Sequence, residues 1–517
     1  MIKADDPAGS EPGFFRLLRD GGSPLLFVLA IAVALRCIGL DDQLWLDEIL
    51  MLHDFARRPI ADIVASYPND NNHPLYSVLA AISVRISGES AASLRLPAVL
   101  FGVLSVGALY VLARRLASRR VAIVSSAVLA IAGSHVFFSQ NARGYTGLLF
   151  FALLATDGFL RAQDGVKGAR LTQSLALGLG AYCHLTGVFV GIAQASVLLL
   201  RPPLGGRFRA APWQGVFGGG AVTVLLHLPM WSDLWRFFVA RPDRVAMKTE
   251  WTDPLHFVRE AFAAIGPLKS AALITAAALG GVVVLCGVFT MERRRRGLAA
   301  VMLLPAVLGG SATLLMGRHL WPRFFFFAAG FGVLLVVLGL EALAGRLGRA
   351  QTKLGARPHG TPLTPLHAGG PGSLAFGIAA GLLLATAAAT TRSAYGPKQD
   401  FAGPKRILAA AAEETSLAPI VFTAGLAMWP YAYLHAPEWT PIALGDGDAA
   451  LDRPEALLAA LAGSERSRVR VVASSPVFLK SRQPRVWSTL EKEMTAVARF
   501  GGTMGPELDL IVYAPRP

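Results

Sequence analysis

Apolar runs separated by short, arginine-bearing polar connections recur along the chain down to about residue 391. Runs of roughly 17 to 25 residues can cross a ~30 Å hydrocarbon layer as helices. About eleven spans are predicted, near residues 24–40, 92–113, 121–138, 146–160, 171–183, 186–200, 214–231, 271–290, 298–316, 324–344 and 373–391. Residues 75–87, "LYSVLAAISVRIS", are short for a crossing and carry Arg85. They are predicted to lie at the membrane interface, inside one long first outer loop from about 41 to 91. The first span, "PLLFVLAIAVALRCIGL", has no small-residue cleavage site after it and is read as a membrane helix rather than a secretion signal.

The pattern changes after residue 391. Apolar runs "PIVFTA", "TPIALG", "VRVVAS" and "LDLIVYA" alternate with helix-like "RILAAAAEE", "RPEALLAALAG" and "STLEKEMTAVARF". This predicts a small α/β domain over 392–517, following a membrane domain over 1–391. The fold class expected is therefore mainly α: a polytopic helical membrane protein with interfacial helices in its first outer loop and a small C-terminal α/β domain. No glycine-rich phosphate loop is present, so no nucleotide is assigned and no cofactor is expected.

Composition agrees with the pattern, at 53% hydrophobic and only 16% charged residues. The net charge of +15 would suggest nucleic acid in a soluble protein, but here the basic residues sit in runs between spans. Such runs mark cytoplasmic loops. Lys3, Arg16 and Arg19, then the runs at 114–120, 161–170, 201–209, 293–296 and 345–357, fall on alternate connections. That puts the N-terminus in the cytoplasm and the C-terminal domain on the outer face of the membrane. Cys37, Cys183 and Cys286 lie within or beside spans and read as buried thiols, without a disulfide framework.

With that orientation, the polar residues unrelated to topology mostly gather in the outer loops: "LDE" (46–48), "NDNNHPLY" (69–76), "SQNARGYT" (139–146), "CHLTG" (183–187), a long loop with "WRFFVARPDRVAMKTEW" (235–251), and "GRHLWPR" (317–323). A transporter would place charges at mid-membrane. Asp157 is an exception within a span, and its spacing to Arg161 predicts an ion pair along the helix. Neighbouring Asp47 and Glu48 point in different directions, so one can face a cavity while the other anchors the loop. The plainer reading makes Asp47 the N-cap of an interfacial helix, with Glu48 in its first turn. The other reading makes the carboxylate a base that deprotonates a hydroxyl attacking a lipid-borne phosphate ester. Arginine forks suit the departing phosphate, which points to Arg143, Arg318 and Arg323. Each has a bland counterpart: arginines that snorkel, turn and packing histidines at His73 and His184, belt aromatics at Tyr145 and Trp321.

"LWLDE", "NNHPLY", "SLRLPAVLFGVLSV", "FSQNARGYT" and "RHLWP", in this order, resemble the bacterial GT-C membrane glycosyltransferases, relatives of protein O-mannosyltransferases and lipid A aminoarabinose transferases. The resemblance covers roughly the first 165 residues strongly and the C-terminal domain hardly at all. It implies inverting transfer of a sugar from a polyprenyl-phosphate donor to a lipid, polysaccharide or protein acceptor on the outer face. Its base falls on Asp47, with Glu48 as second acid. Glu48, His73, Gln140, Asn141, Arg143, Tyr145, His184, Arg318, His319 and Arg323 are the expected substrate- and donor-binding residues, and no metal is assigned. Thr146 and Gly147 stand where mannosyltransferase relatives carry an aspartate, and His319 replaces a tyrosine. Two other functions are compatible with the chain: a flippase or transporter of lipid-linked saccharides, and an envelope scaffold.

Overall fold

The computed structural model describes residues 14–69, 71–200, 210–240, 271–316, 320–355, 371–425, 441–444, 452–476, 483–502 and 508–517, with 253, 434, 439, 479 and 480. The basic run 201–209, most of the predicted outer loop 235–251, and Arg318 and His319 lie outside the described residues. The chain divides into two units. The first comprises Met1–Ile38, Pro59–Ala80 and Arg95–Arg392; the second joins Gly39–Arg58 and Ala81–Leu94 to Ser393–Pro517.

The first unit is helical, with a helix at each predicted span. Among the described residues five helical stretches are long and apolar enough to cross a membrane: Ala91–Leu116, Ala210–Val239, Leu298–Leu315, Pro322–Arg349 and Pro371–Ala394. Arg119–Ile131 and Gly133–Ser139, bent by 61°, add a sixth if taken as one span. Other predicted spans form shorter helices. Ala169–Cys183 has 15 residues and Val188–Leu200 has 13, and at ~1.5 Å per residue neither covers a ~30 Å layer. The protein is a multi-pass membrane protein.

Tyr145–Gln163 runs through the core with most of its residues buried. Its neighbours approach closely where glycine removes the side chain. A Cβ on Gly158 would stand 2.8 Å from the Gln173 backbone. Ala271–Arg294 and Ala329–Gly355 contact through Gly287 and Gly339, each facing a carbonyl of the other helix. Small residues at such crossings allow backbone-to-backbone packing in a medium that offers no hydrophobic drive between helices.

Several basic runs predicted to share one side contact one another's elements. Arg115 donates to Asp157 at 2.7 Å, Arg295 grips both oxygens of Asp164 at 2.6 and 2.7 Å, and Arg294 and Ser118 meet Glu341. Asp157, expected to pair with Arg161, lies closer to Arg115; Arg161 stands 3.8 Å away. The thiols also differ from expectation. Only Cys183 is buried, Cys286 is partly exposed, and Cys37, at the end of its helix, is exposed.

The second unit contains a five-stranded sheet of order β2-β1-β3-β5-β4: β1 Ile420–Ala424, β2 Ile442–Ala443, β3 Val469–Ser474, β4 Met494–Phe500 and β5 Leu510–Pro515. β1 runs parallel to β2 and β3, whereas β5 is antiparallel to β3 and β4. The inner strands are nearly continuous apolar runs, and Phe422, Val471 and Ile511 pack with Val486, Leu490 and Met494. β4 corrects the sequence expectation. "STLEKEMTAVARF" stops being helical at Glu493, and its second half pairs along β5. Cross-strand pairing overrides the local helical composition there.

Asp157 and Arg115 are both almost fully buried, their side chains 2% and 4% exposed. Asp157→Ala should destabilise the protein by about 3–5 kcal/mol, because it strands a buried guanidinium. Combining it with Arg115→Met should recover much of that loss. Chemical denaturation in mixed micelles measures both.

Candidate functional site

In the first unit, four connections between helices bring predicted residues together. His73 immediately precedes the helix Pro74–Ser87; Arg143 and Gly144 precede Tyr145–Gln163. His184 separates Ala169–Cys183 from the turn Leu185–Gly187, and Arg323 sits in the 3-10 turn Pro322–Ala328. The rings of His73, Tyr145 and His184 pack mutually, with centroids 4.9 to 5.6 Å apart. The Arg143 guanidinium lies 5.8 Å from the Tyr145 ring, and Nη2 approaches the phenol oxygen at 3.5 Å. Arg323 stacks on Trp321 at 4.7 Å, and Phe324 packs on His184. Gly144 permits this convergence. A Cβ there would meet the Cys183 carbonyl at 2.3 Å and His73 Nδ1 at 3.1 Å.

The hydrogen bonds fix the imidazole tautomers. His73 Nδ1 faces the Cys183 carbonyl at 3.0 Å. A carbonyl only accepts, so Nδ1 carries the proton and Nε2 is an acceptor. His184 Nδ1 accepts from the Thr186 amide at 3.2 Å and lies 2.8 Å from its hydroxyl, so its proton sits on Nε2 as a donor. Burial, then Arg143, hold His73 well below the ordinary histidine range. Burial, Arg143 and Arg323 lower His184 to about 3. Both rings are neutral at physiological pH, leaving the positive charge to the two arginines. His73 Nε2, Asn141 Oδ1 and Arg323 Nε are buried without a partner within the protein. Groups of that kind are expensive to leave unsatisfied, and an incoming ligand can satisfy them.

Gln140 and Thr146 have structural bonds. The Gln140 amide donates to the carbonyls of Arg36 and Ile38, closing off the first long helix, and Thr146 Oγ1 donates to the Ala98 carbonyl. Sequence reading missed Arg36 beneath them. It is fully buried and donates to Ser139 Oγ, to the Ala32 and Ala130 carbonyls, and toward His135. An arginine inside "VALRCIGL" was the available signal. Thr186, which sets the His184 tautomer, was also missed.

Asp47 and Glu48 belong to the second unit. The helix Leu46–Met51 starts after Trp45, so Asp47 is its second residue and not the expected N-cap. Residues at those positions point about 100° apart. Asp47 is half-buried and Glu48 fully buried. The Glu48 carboxylate accepts the Trp45 amide at 3.4 Å and pairs with Lys398 Nζ at 3.5 Å. Two carboxylates in the first turn are favourable beside the helix's unsatisfied amides. Among the described residues no three metal-ligating side chains are grouped closely enough to hold a metal ion.

The histidine tautomers predict an acid limb of stability. The His184 pKa is lowered on folding, so the unfolded chain takes up a proton that the folded site refuses. Stability is full above about pH 6.5 and falls progressively as the pH drops toward about 3. His184→Gln should flatten that limb, as measured by thermal denaturation across pH.

Residues 70–232 match a family model described as "Dolichyl-phosphate-mannose-protein mannosyltransferase". That segment contains His73, Gln140, Asn141, Arg143, Tyr145 and His184. No curated protein matches the chain by sequence. Solved structures match it over nearly its full length. ArnT from Cupriavidus metallidurans is 14% identical in the apo state, with a TM-score of 0.53, covering 95% of this chain and 97% of that one. The same protein bound to undecaprenyl phosphate gives 0.55 at the same identity and coverage. An Archaeoglobus fulgidus oligosaccharyltransferase tethered to an acceptor peptide is 15% identical, with a TM-score of 0.51, covering 96% of this chain and 74% of that one. The chain is a multi-pass membrane protein that shares the fold of ArnT, and its residues 70–232 match the family described as dolichyl-phosphate-mannose-protein mannosyltransferase.

Proposed function

We propose that the protein is a membrane glycosyltransferase that moves a sugar from a polyprenyl-phosphate donor to an acceptor hydroxyl with inversion. The observation carrying this reading is the cluster of Arg143, Arg323, His73, His184 and Tyr145. It offers fixed positive charge, a neutral imidazole donor at His184 Nε2 and an unpartnered acceptor at His73 Nε2. Guanidinium forks match phosphate oxygens, and the His73 acceptor suits a hydroxyl of the donor head group. ArnT, whose fold the chain shares, has been solved with undecaprenyl phosphate bound. Arg318 and His319 belong to the same proposed set through the sequence resemblance.

In the proposed reaction the acceptor oxygen bonds to the anomeric carbon from the face opposite the phosphate. The bond from that carbon to the phosphate oxygen breaks, and polyprenyl phosphate leaves with the electron pair. Asp47 takes the hydroxyl proton. The arginines hold the charge of the departing phosphate, so a strong acid is not required. The acceptor is a lipid, polysaccharide or protein hydroxyl. The proposal keeps about eleven crossings, a cytoplasmic N-terminus and a periplasmic α/β domain over 392–517 in the inner membrane; the mutual contacts of the basic runs support the orientation. No observation favours the flippase or scaffold readings.

Mass spectrometry of envelope glycolipids and glycoproteins with and without the protein tests the activity. A loss of one sugar mass from one species is expected, and identical profiles would remove the transferase reading. Asp47→Asn should lower turnover by about 10²–10⁴ while leaving undecaprenyl-phosphate affinity unchanged. Arg143→Ala should instead weaken that affinity at least tenfold. Binding to nanodisc-embedded protein separates the two effects.

A further inference from the structure

The segment bearing Asp47 is held by the residues that follow the last predicted span, all within the second unit. Lys398 pairs with Glu48, and both are buried, their side chains 8% and 0% exposed. Gln399, 1% exposed, accepts the Leu46 amide at 3.4 Å through Oε1 and donates Nε2 to the Leu508 carbonyl at 2.8 Å. Leu508 lies two residues before β5. Gln43 donates to Asp400 Oδ1 at 3.4 Å and accepts the Ala402 amide at 3.2 Å. The same Asp400 oxygen accepts the Gly403 amide, tying the contact to the start of the helix Ala402–Thr415. Residues on both sides of Asp47 are thereby bonded to three consecutive side chains of the 398–400 stretch.

We propose that Lys398 and Gln399 are positioning residues that fix the first turn of Leu46–Met51, and with it the direction of the Asp47 carboxylate. The inference rests on Asp47 being the base, and it gives the C-terminal segment a role in the reaction. Glu48 is then the anchor of the pair. The helical stretch does not hold itself: Leu46–Met51 continues only through the π-helical Leu52–Ala56, and 6 and 5 residues together stay under the ~12–15 at which an isolated helix is marginal in water. The buried ion pair and the amide bond from Gln399 supply the constraint from outside it. Asp47 adjoins both contacts, one residue from Leu46 and one from Glu48.

Hydrogen exchange of residues 44–51 and product formation should be measured for full-length Lys398→Met, Lys398→Arg and Gln399→Leu, with undecaprenyl phosphate as the binding probe. In the methionine variant, exchange should speed up at least tenfold and product per folded protein should fall at least tenfold. Undecaprenyl-phosphate affinity should stay within twofold, and arginine should restore both losses. Gln399→Leu provides the same reading if Lys398→Met does not fold. Unchanged exchange in the folded variants overturns the proposal, as does a parallel loss of lipid-phosphate affinity. If Asp47→Asn forms product at the wild-type rate, the base assignment fails, and the exchange result still decides the anchor by itself.

Discussion

Taking a charge out of water costs several kcal/mol after all relaxation, and this chain buries several. Arg36, Glu48, Arg115, Arg143, Asp157 and Lys398 are all nearly inaccessible. Each therefore has to be answered by geometry, and the answers differ. Arg115 and Asp157 neutralise each other along helices. Arg36 is met by carbonyls and a hydroxyl at a helix break. At the four converging connections the imidazoles stay neutral beside two guanidiniums, so the local charge is positive, which is the basis for the proposed phosphate site. The first two arrangements are closed; the last is suited to a ligand.

Tyr145–Gln163 separates these regimes along one helix. Its 19 residues span about 28 Å at ~1.5 Å per residue, with Tyr145 in the histidine cluster at one end and Arg161 near the ion pairs at the other. An error of a few residues in the boundary would not exchange the two ends. That insensitivity is why sequence alone assigned the polar motifs and the basic runs to opposite ends of the helices.

Hydrophobic length and period carried the helices, and five of them were legible as spans on both length and apolarity. Shorter helices were also placed near their observed bounds: the expected 171–183 and 186–200 are Ala169–Cys183 and Val188–Leu200, because the polar "CHLTG" interrupts the apolar run. β4 was illegible for another reason: Met494–Phe500 becomes a strand only because Leu510–Pro515 lies beside it, a contact that local composition does not contain. In the site, charged and aromatic types in the outer connections drew attention to His73, Arg143, Tyr145, His184 and Arg323. Thr186 and Gly144 did not stand out, since their effects are a tautomer and a clearance. Lys398 and Gln399 lie some 350 positions from the helix they touch, and nothing in their own neighbourhood indicates that reach.

The asymmetry between Asp47 and Glu48 follows from helix geometry and the burial cost together. Two adjacent carboxylates in one turn cannot face the same surroundings, and only a buried one needs a cation of its own. Glu48 has that cation in Lys398, 3.5 Å away. On the proposed reading, in which Asp47 is the base, the direction of its half-buried carboxylate depends on the anchoring of its neighbour. The proposed base would then draw on both acids of "LDE", Asp47 for chemistry and Glu48 for direction.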